Sequence, residues 1–203
     1  MIGLNERTIQ EIHILWRGPF SAETVKQKFD NDCDYGIYQV YGSHAAYGGD
    51  VLLYIGKAAL QTFSKRITQH GTWLPYGKDP ENISIYLGRL FAYDPDNGGV
   101  AAQPEYDDWN KLIDISERLL IFSHAPAFNS SNISNIKPHG IDDIHLMNWD
   151  NYRDLLPEVS AKYWTANYPG DFSLFCENKA SGTCTKLGEC LKQNRSKICE
   201  QPN

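Results

Sequence analysis

Residues 34–56 read DYGIYQVYGSHAAYGGDVLLYIG, and this stretch decides the fold. Its two ends are rich in tyrosine, isoleucine, leucine and valine, which favour β-strands, and glycines lie at their borders. We predict one strand over residues 34–42 and a second over residues 51–56. The loop of residues 43–50 between them is too short for a crossover connection, so the two strands should pair antiparallel.

The alternation of side chains along these two strands predicts a pair of tyrosines. Tyr38 shares a face with Gly36 on the first strand, and Tyr54 shares a face with Gly56 on the second. If the strands pair with both tyrosines on one side, two phenols converge beside two glycines, which allow a backbone or a ligand to approach closely. The alternative is that these tyrosines only pack in the core.

The rest of the chain adds helices and a third strand. Apolar residues at Leu60, Phe63 and Ile67 have the spacing of one helical stripe. Ser21 has the character of an N-cap at the start of a short helical run. The predicted elements are a helical N-terminal segment over residues 6–30, strands over 34–42 and 51–56, a helix over 57–70, a strand over 83–93 and a helix over 104–123.

Two polar residues on the helix at 57–70 could contribute to a phosphate site. Arg66 and His70 are four residues apart, so they lie on one helical face. A guanidinium can bind a phosphate through two hydrogen bonds, and an imidazole can accept or relay a proton near neutral pH. Both residues would equally suit a solvated helix end. Lys57 precedes them and could join a local basic track.

Glu117 lies on the apolar face of the helix at 104–123, because Ile113 and Ile121 are one turn to either side. The polar arc of this helix, which includes Asp114 and Arg118, lies elsewhere. A buried carboxylate is costly unless it is paired or binds a cation. Mg²⁺ usually binds one or two protein carboxylates and keeps its other positions for water and phosphate. An interior arginine is the alternative partner.

Asn129 follows Glu117 after twelve residues. Its amide could hold a phosphate or a backbone group in position, although loop asparagines usually serve turns. Residues 36–38 (GIY), residues 54–56 (YIG), the Arg-x-x-x-His pair, the glutamate and the asparagine together resemble the GIY-YIG nuclease superfamily. The string YIGKA followed by a helical arginine is similar to the N-terminal nuclease domain of the bacterial excision-repair incision enzyme. The arginine–histidine pair and the Glu-to-Asn interval are similar to the family's small type II restriction endonucleases.

The resemblance covers residues 34–130, and it implies an α/β (α+β) fold with a small three-stranded antiparallel sheet flanked by helices. It also implies hydrolysis of a DNA phosphodiester bond with one divalent cation, Mg²⁺ or Mn²⁺. Glu117 would be the metal ligand. Tyr38 would orient or deprotonate the attacking water beside Tyr54, and Arg66 would clamp the phosphate.

Three further positions complete the site that the resemblance implies. His70 would take or relay a proton, while Lys57 and Asn129 would help to bind the phosphate. The partner would be DNA, most simply a duplex, and a homodimer is left open. The biological role could be restriction, repair, mobile-element homing or phage defence, and the size of the chain favours a restriction-type enzyme.

Composition bounds these expectations. The net charge of −6 argues mildly against a nucleic-acid partner, because phosphate contacts supply most non-specific affinity. The sequence has no apolar stretch of the roughly 20 residues that a bilayer span needs, so we expect no membrane partner. The first residues lack the layout of a signal peptide, which favours a cytoplasmic protein.

The predicted organisation has four parts. The helical segment of residues 1–33 precedes the nuclease-like domain of residues 34–130. Residues 131–175 form an extension packed on that domain, and residues 176–203 form a polar tail with four of the five cysteines. Their C-x7-C-x5-C-x8-C spacing lacks the close pairs of zinc sites, so free thiols are the simpler interpretation.

Two other function classes remain open from the sequence. One is a non-catalytic module of the same fold that binds DNA or a protein partner. The other is a redox or zinc protein that uses the cysteines of the tail.

Overall fold

The computed structural model describes residues 10–69, 82–91, 106–133 and 144–161. These residues form an α+β fold with one mixed sheet of six strands and three helices. In chain order the elements are β1 (Gln10–Phe20), α1 (Ala22–Lys28), β2 (Gly36–His44), β3 (Gly48–Ala58), α2 (Phe63–Gln69), β4 (Ser84–Phe91), α3 (Tyr106–His124), β5 (Ile144–Asp150) and β6 (Glu158–Ser160).

The strand order in the sheet is β3-β2-β4-β1-β5-β6. β2 lies between β3 and β4 and is antiparallel to both, which is the three-stranded arrangement that the sequence predicts. β1 pairs antiparallel with β4 and parallel with β5, and β5 pairs antiparallel with β6. The broad α/β class is therefore confirmed, but the prediction of a small three-stranded sheet is wrong, since the sheet has six strands.

Residues 10–20 form a strand, so the prediction of a helix over residues 6–30 is wrong for this stretch. Ile12, Ile14 and Trp16 alternate along β1 and are buried. A period of two in β-branched and aromatic residues suits a pleated strand, and β4 and β5 supply partners on both sides. The helical part is α1, which Ser21 caps as predicted.

β2 and β3 form the predicted antiparallel hairpin, but both strands extend into the stretch predicted as a loop. β2 continues to His44 and β3 begins at Gly48, which leaves a turn of residues 45–47. At the far end Lys57 still pairs with Ile37 in the sheet. The helix predicted over residues 57–70 is therefore shorter, because its first residues belong to β3.

Leu60 shows the effect of this late helix start. It was predicted to lie on the apolar stripe, yet it is 77% exposed because it precedes α2. Phe63 and Ile67, which are inside α2, are buried as predicted.

Two apolar clusters cover the two faces of the sheet. Residues of α3, including Ile113 and Leu120, pack with Ile14 and Trp16 of β1 on one face. Residues of α1 and α2 pack with Tyr38 and other residues of β2 and β4 on the opposite face.

β5 and β6 come from the predicted extension of residues 131–175 and belong to the same sheet as β2 and β3. The cysteine-containing tail of residues 176–203 lies outside the described residues. Among the helices of the described ranges, none combines the length and the apolar character that a membrane crossing needs.

Candidate active site

Tyr38 and Tyr54 converge on one face of the hairpin. Tyr38 pairs with Gly56 and Tyr54 pairs with Val40, so the two rings are diagonal neighbours with centroids 6.1 Å apart. A Cβ atom at Gly56 would lie 2.4 Å from the Tyr38 hydroxyl oxygen and 2.6 Å from the Tyr54 ring. The predicted convergence is therefore confirmed, and the rings themselves occupy the space that this glycine leaves.

Both tyrosines are held as neutral phenols. Tyr38 has no exposed surface, and burial raises its pKa well above the usual range. Burial also raises the pKa of the half-buried Tyr54, and the negative charge of Glu117 adds to that rise. Arg66 and Lys57 are the neighbouring cations, and they offset only part of these effects. The geometry therefore suits a phenol that orients water or phosphate better than one that removes a proton.

Glu117 is buried on α3 between Ile113 and Ile121, as the helical spacing predicts. Its Oε2 lies 2.7 Å from the Nζ of Lys57, so a lysine is its partner where an interior arginine had been the alternative. Burial raises the pKa of the Glu117 carboxyl, and the hydrogen bond and charge of Lys57 counteract that rise. The carboxylate is thus compensated from within the chain.

Asp114 is a residue of this cluster that the sequence analysis placed on the polar arc. The Nζ of Lys57 lies 2.5 Å from its Oδ1, and the Nε of Arg118 lies 3.2 Å from its Oδ2. Asp114 and Glu117 are three residues apart and hence neighbours on the helix, and this spacing is the feature of the sequence that indicates Asp114. Burial lowers the pKa of Lys57, but the two carboxylates raise it overall, so its ammonium stays charged.

Arg66 on α2 is half-buried and lies close to the tyrosine pair and to Glu117, since its charge acts on the ionisation of all three. Its Nε is buried and makes no hydrogen bond within the described part of the chain. A buried N–H group without an acceptor is costly. A bound anion would supply the acceptor that this position lacks.

Asn129 holds the backbone of β3. Its Oδ1 accepts from the Ile55 N–H, and its Nδ2 donates to the Ile55 carbonyl, both at 2.9 Å. The N–H groups of Ala127 and Phe128 donate to further carbonyls of β3, at 3.3 and 2.8 Å. Asn129 thus takes the backbone-holding role and fixes the strand next to Tyr54. Its direct contact with phosphate stays a prediction.

The structure therefore brings together most of the residues that the sequence selects. His70, the expected proton relay, lies outside the described residues. Asn129 binds the backbone of β3 at Ile55. The cluster itself, which we call the Glu117 cluster, consists of Tyr38, Tyr54, Lys57, Arg66, Asp114 and Glu117.

The Glu117 cluster offers a small donor set for a divalent cation. In the ranges that the structure describes, no group of three or more histidine, cysteine, aspartate or glutamate side chains is arranged to hold a metal ion. Mg²⁺ needs only one or two protein carboxylates when water and phosphate complete its shell. Glu117 supplies one such buried carboxylate, and Lys57 is the group with which an ion would compete for it.

Comparisons with protein-family models, with curated proteins and with solved structures find no match to this chain.

Proposed function

We propose that the protein is a metal-dependent endonuclease of the GIY-YIG type that hydrolyses phosphodiester bonds in DNA. The observation that carries this proposal is the arrangement of the Glu117 cluster. A buried carboxylate, a guanidinium whose buried Nε–H has no acceptor among the described residues and two neutral phenols lie together beside the edge strand β3. Buried polar groups left without full compensation are typical of functional sites.

Arg66 is the residue proposed to bind the scissile phosphate. Its Nε would donate to a phosphate oxygen, and a planar guanidinium can form two such hydrogen bonds at once. As the phosphate gains negative charge in the transition state, this contact becomes stronger. Binding of the phosphate also removes the cost of the unsatisfied N–H.

Glu117 would hold the Mg²⁺ or Mn²⁺ ion, which when bound polarises the phosphate and stabilises the leaving oxygen. Uncatalysed phosphodiester hydrolysis is slow enough that the site must lower the barrier by roughly 20 kcal/mol, so no single residue suffices. Tyr38 would donate a hydrogen bond that orients the attacking water or the phosphate. Because its hydroxyl is buried, the substrate has to open the cluster before it reaches this group.

The proposed substrate is duplex DNA, bound by local positive charge on an acidic protein. Lys65 and Arg66 follow one another on α2 and supply positive charge there, although the net charge of the chain is −6. Phosphate contacts of this kind make affinity depend steeply on salt. A compact restriction-type enzyme is the role that we favour among those open to a nuclease of this size.

The test is cleavage of supercoiled plasmid by purified protein with Mg²⁺, Mn²⁺ or EDTA. Glu117→Gln removes the proposed ligand with little change in volume, and Asp150→Asn is a matched control. Asp150 pairs with Arg17 on β5 and β1, away from the Glu117 cluster.

We expect metal-dependent cutting by the native protein and by Asp150→Asn, and none by folded Glu117→Gln. Equal cutting by Glu117→Gln would show that the metal assignment is wrong. Binding of DNA without cleavage by the native protein, with or without metal, would instead favour a non-catalytic binding module.

A further inference from the structure

We propose that Lys57 is a built-in counter-ion that occupies Glu117 until a divalent cation arrives, and that Asp114 then receives the lysine. This inference rests on the proposed function, because it concerns the same carboxylate. It makes Lys57 and Asp114 positioning residues that set the affinity of the site for its metal.

The bridging position of the Lys57 ammonium is the first observation. Its Nζ lies 2.7 Å from Oε2 of Glu117 and 2.5 Å from Oδ1 of Asp114. One ammonium is therefore shared by two carboxylates that are neighbours on α3. A small movement of the flexible lysine stem is enough to leave one carboxylate while keeping the other.

The difference in exposure gives this movement a direction. The Glu117 side chain is 11% exposed, and the Asp114 side chain is 43% exposed. A buried carboxylate that loses its partner is destabilised far more than a surface one, so without metal the lysine must serve Glu117. Once a dication compensates Glu117, repulsion between the ion and the ammonium favours the outer position on Asp114.

Arg118 keeps Asp114 ready for this exchange. Its Nε lies 3.2 Å from Oδ2 of Asp114, so the aspartate is anchored by one oxygen and offers the other to Lys57. If Asp114 is changed to asparagine, Lys57 keeps Glu117 as its anionic partner in the cluster and competes more strongly with the metal. If Lys57 is removed, this competition ends and Asp114 loses its influence on the metal.

The experiment is an isothermal calorimetric titration of the DNA-free protein with MnCl₂, which measures the affinity for Mn²⁺. The variants are Lys57→Met, Asp114→Asn and their combination, with Asp150→Asn as a control that also neutralises one ion-paired aspartate. We expect Lys57→Met to bind Mn²⁺ at least about fivefold more tightly, and Asp114→Asn about fivefold more weakly, as for a typical coupling between two sites. The double variant should match Lys57→Met alone.

The double variant separates this exchange from a simple role as metal ligand. If Asp114→Asn weakens Mn²⁺ binding equally with and without Lys57, then Asp114 acts on the metal directly and the inference is overturned. Unchanged binding in either Lys57→Met or Asp114→Asn overturns it as well.

Glu117→Gln distinguishes a failure of this inference from a failure of the proposed function. Loss of Mn²⁺ binding in Glu117→Gln supports the metal assignment whatever the other variants do. Native-like binding in that variant, or no saturable binding in the native protein, overturns the metal site and the exchange together.

Thermal unfolding supplies a second readout that needs no catalysis. Lys57→Met leaves Glu117 without its ammonium, so the metal-free variant should melt below the native protein. Saturating Mn²⁺ should then raise its melting temperature by more than it raises that of the native protein, because a ligand stabilises the state that it binds. An equal rise in both proteins would contradict the counter-ion role.

Discussion

Tyr38 and Tyr41 lie three residues apart on β2, and each is fully buried in a different cluster of the core. Each also has an arginine nearby. The guanidinium of Arg153 lies 4.4 Å from the centre of the Tyr41 ring, and the charge of Arg66 acts on the ionisation of Tyr38. Burial raises the pKa of both phenols. By composition and burial, the two pairs are nearly the same.

Their hydrogen bonds distinguish them. The Tyr41 hydroxyl donates to Oε1 of Gln39 at 2.8 Å and accepts from the Asp154 N–H at 3.3 Å. Arg153 donates to the Tyr86 hydroxyl and to Asp50. In contrast, Nε of Arg66 has no acceptor within the described residues, and a buried carboxylate lies close to it.

A buried tyrosine–arginine pair is therefore no sign of function by itself. The Tyr41 side is a satisfied network that stabilises the fold, whereas on the Tyr38 side the buried Nε–H of Arg66 has no acceptor among the described residues. Single substitutions on the two sides should separate these roles.

The largest difference is expected between Arg66→Ala and Arg153→Ala. Loss of a donor to the transition state should raise the barrier in Arg66→Ala by about 3–4 kcal/mol, which is a rate loss of about 10²–10³. Arg153→Ala should lower stability and leave the rate per folded molecule unchanged. Single-turnover cleavage and urea unfolding measure both quantities. A rate loss below about tenfold in Arg66→Ala would contradict the clamp.

The two tyrosines should divide in the same way when each is changed to phenylalanine. Tyr38→Phe removes the orienting hydroxyl, and we expect a rate loss of about 10² with little change in stability. Tyr41→Phe leaves Gln39 and the Asp154 N–H without their partner, at a cost of about 1–3 kcal/mol in unfolding free energy. Native cleavage by Tyr38→Phe would mean that this phenol only packs.

Asn129→Ala should affect stability first and activity second. It leaves the N–H and the carbonyl of Ile55 without their side-chain partner, so we expect a loss of about 2 kcal/mol in unfolding free energy. The loosened strand carries Tyr54, so cleavage should fall modestly as well. Urea unfolding beside Asn151→Ala, which removes one hydrogen bond to the Gly18 carbonyl, provides the comparison. An equal loss in both variants would argue against a special role for residues 127–129.

The smallest predicted effect is a loss of unfolding free energy at acid pH, and it should come from His124. Nδ1 of His124 lies 2.8 Å from the Leu120 carbonyl, and its Nε2 accepts from the Leu156 N–H at 2.8 Å. Burial lowers the pKa of His124 below its usual 6.5, so the neutral ring is favoured in the folded protein. Its contribution to stability is present above pH 6.5 and is lost as the pH falls toward the folded-state pKa.

Unfolding free energies of the native protein and His124→Gln, measured from pH 7.5 to 5.5, check this. The native protein should lose at most about 1.4 kcal/mol more per pH unit than the variant. Parallel curves for the two proteins would exclude His124 as the source of the acid effect.

Local sequence patterns predict the elements whose residues are close together in the sequence. The glycine borders and strand propensity of β2 and β3, and the helical stripe of α3, place the hairpin and the burial of Glu117 correctly. The Ser21 cap and the spacing of Val25 and Phe29 predict a helix that the structure confines to α1, whereas the strand character of β1 depends on β4 and β5 as partners. Those partners are far away in the sequence, and no local rule brings them together.

In the candidate site, too, local spacing predicts some contacts, and contacts between distant residues are missed. The alternation rule places the two tyrosines on one face, but no spacing rule joins Lys57 to Glu117, which are sixty residues apart. That contact exists because β3 continues through Lys57 before α2 begins. Asn129 is similar, since its amide meets Ile55 only once the chain has returned past the end of α3.

The segment of residues 127–129 has a consequence beyond holding the site. β3 is an outermost strand of the sheet, and such strands expose N–H and carbonyl groups that invite pairing with another molecule. Ala127, Phe128 and Asn129 occupy those groups on β3, while the opposite border is β6, a strand of only three residues. The backbone groups of Leu52, Leu53 and Ile55 are thus not available to a partner strand at this border.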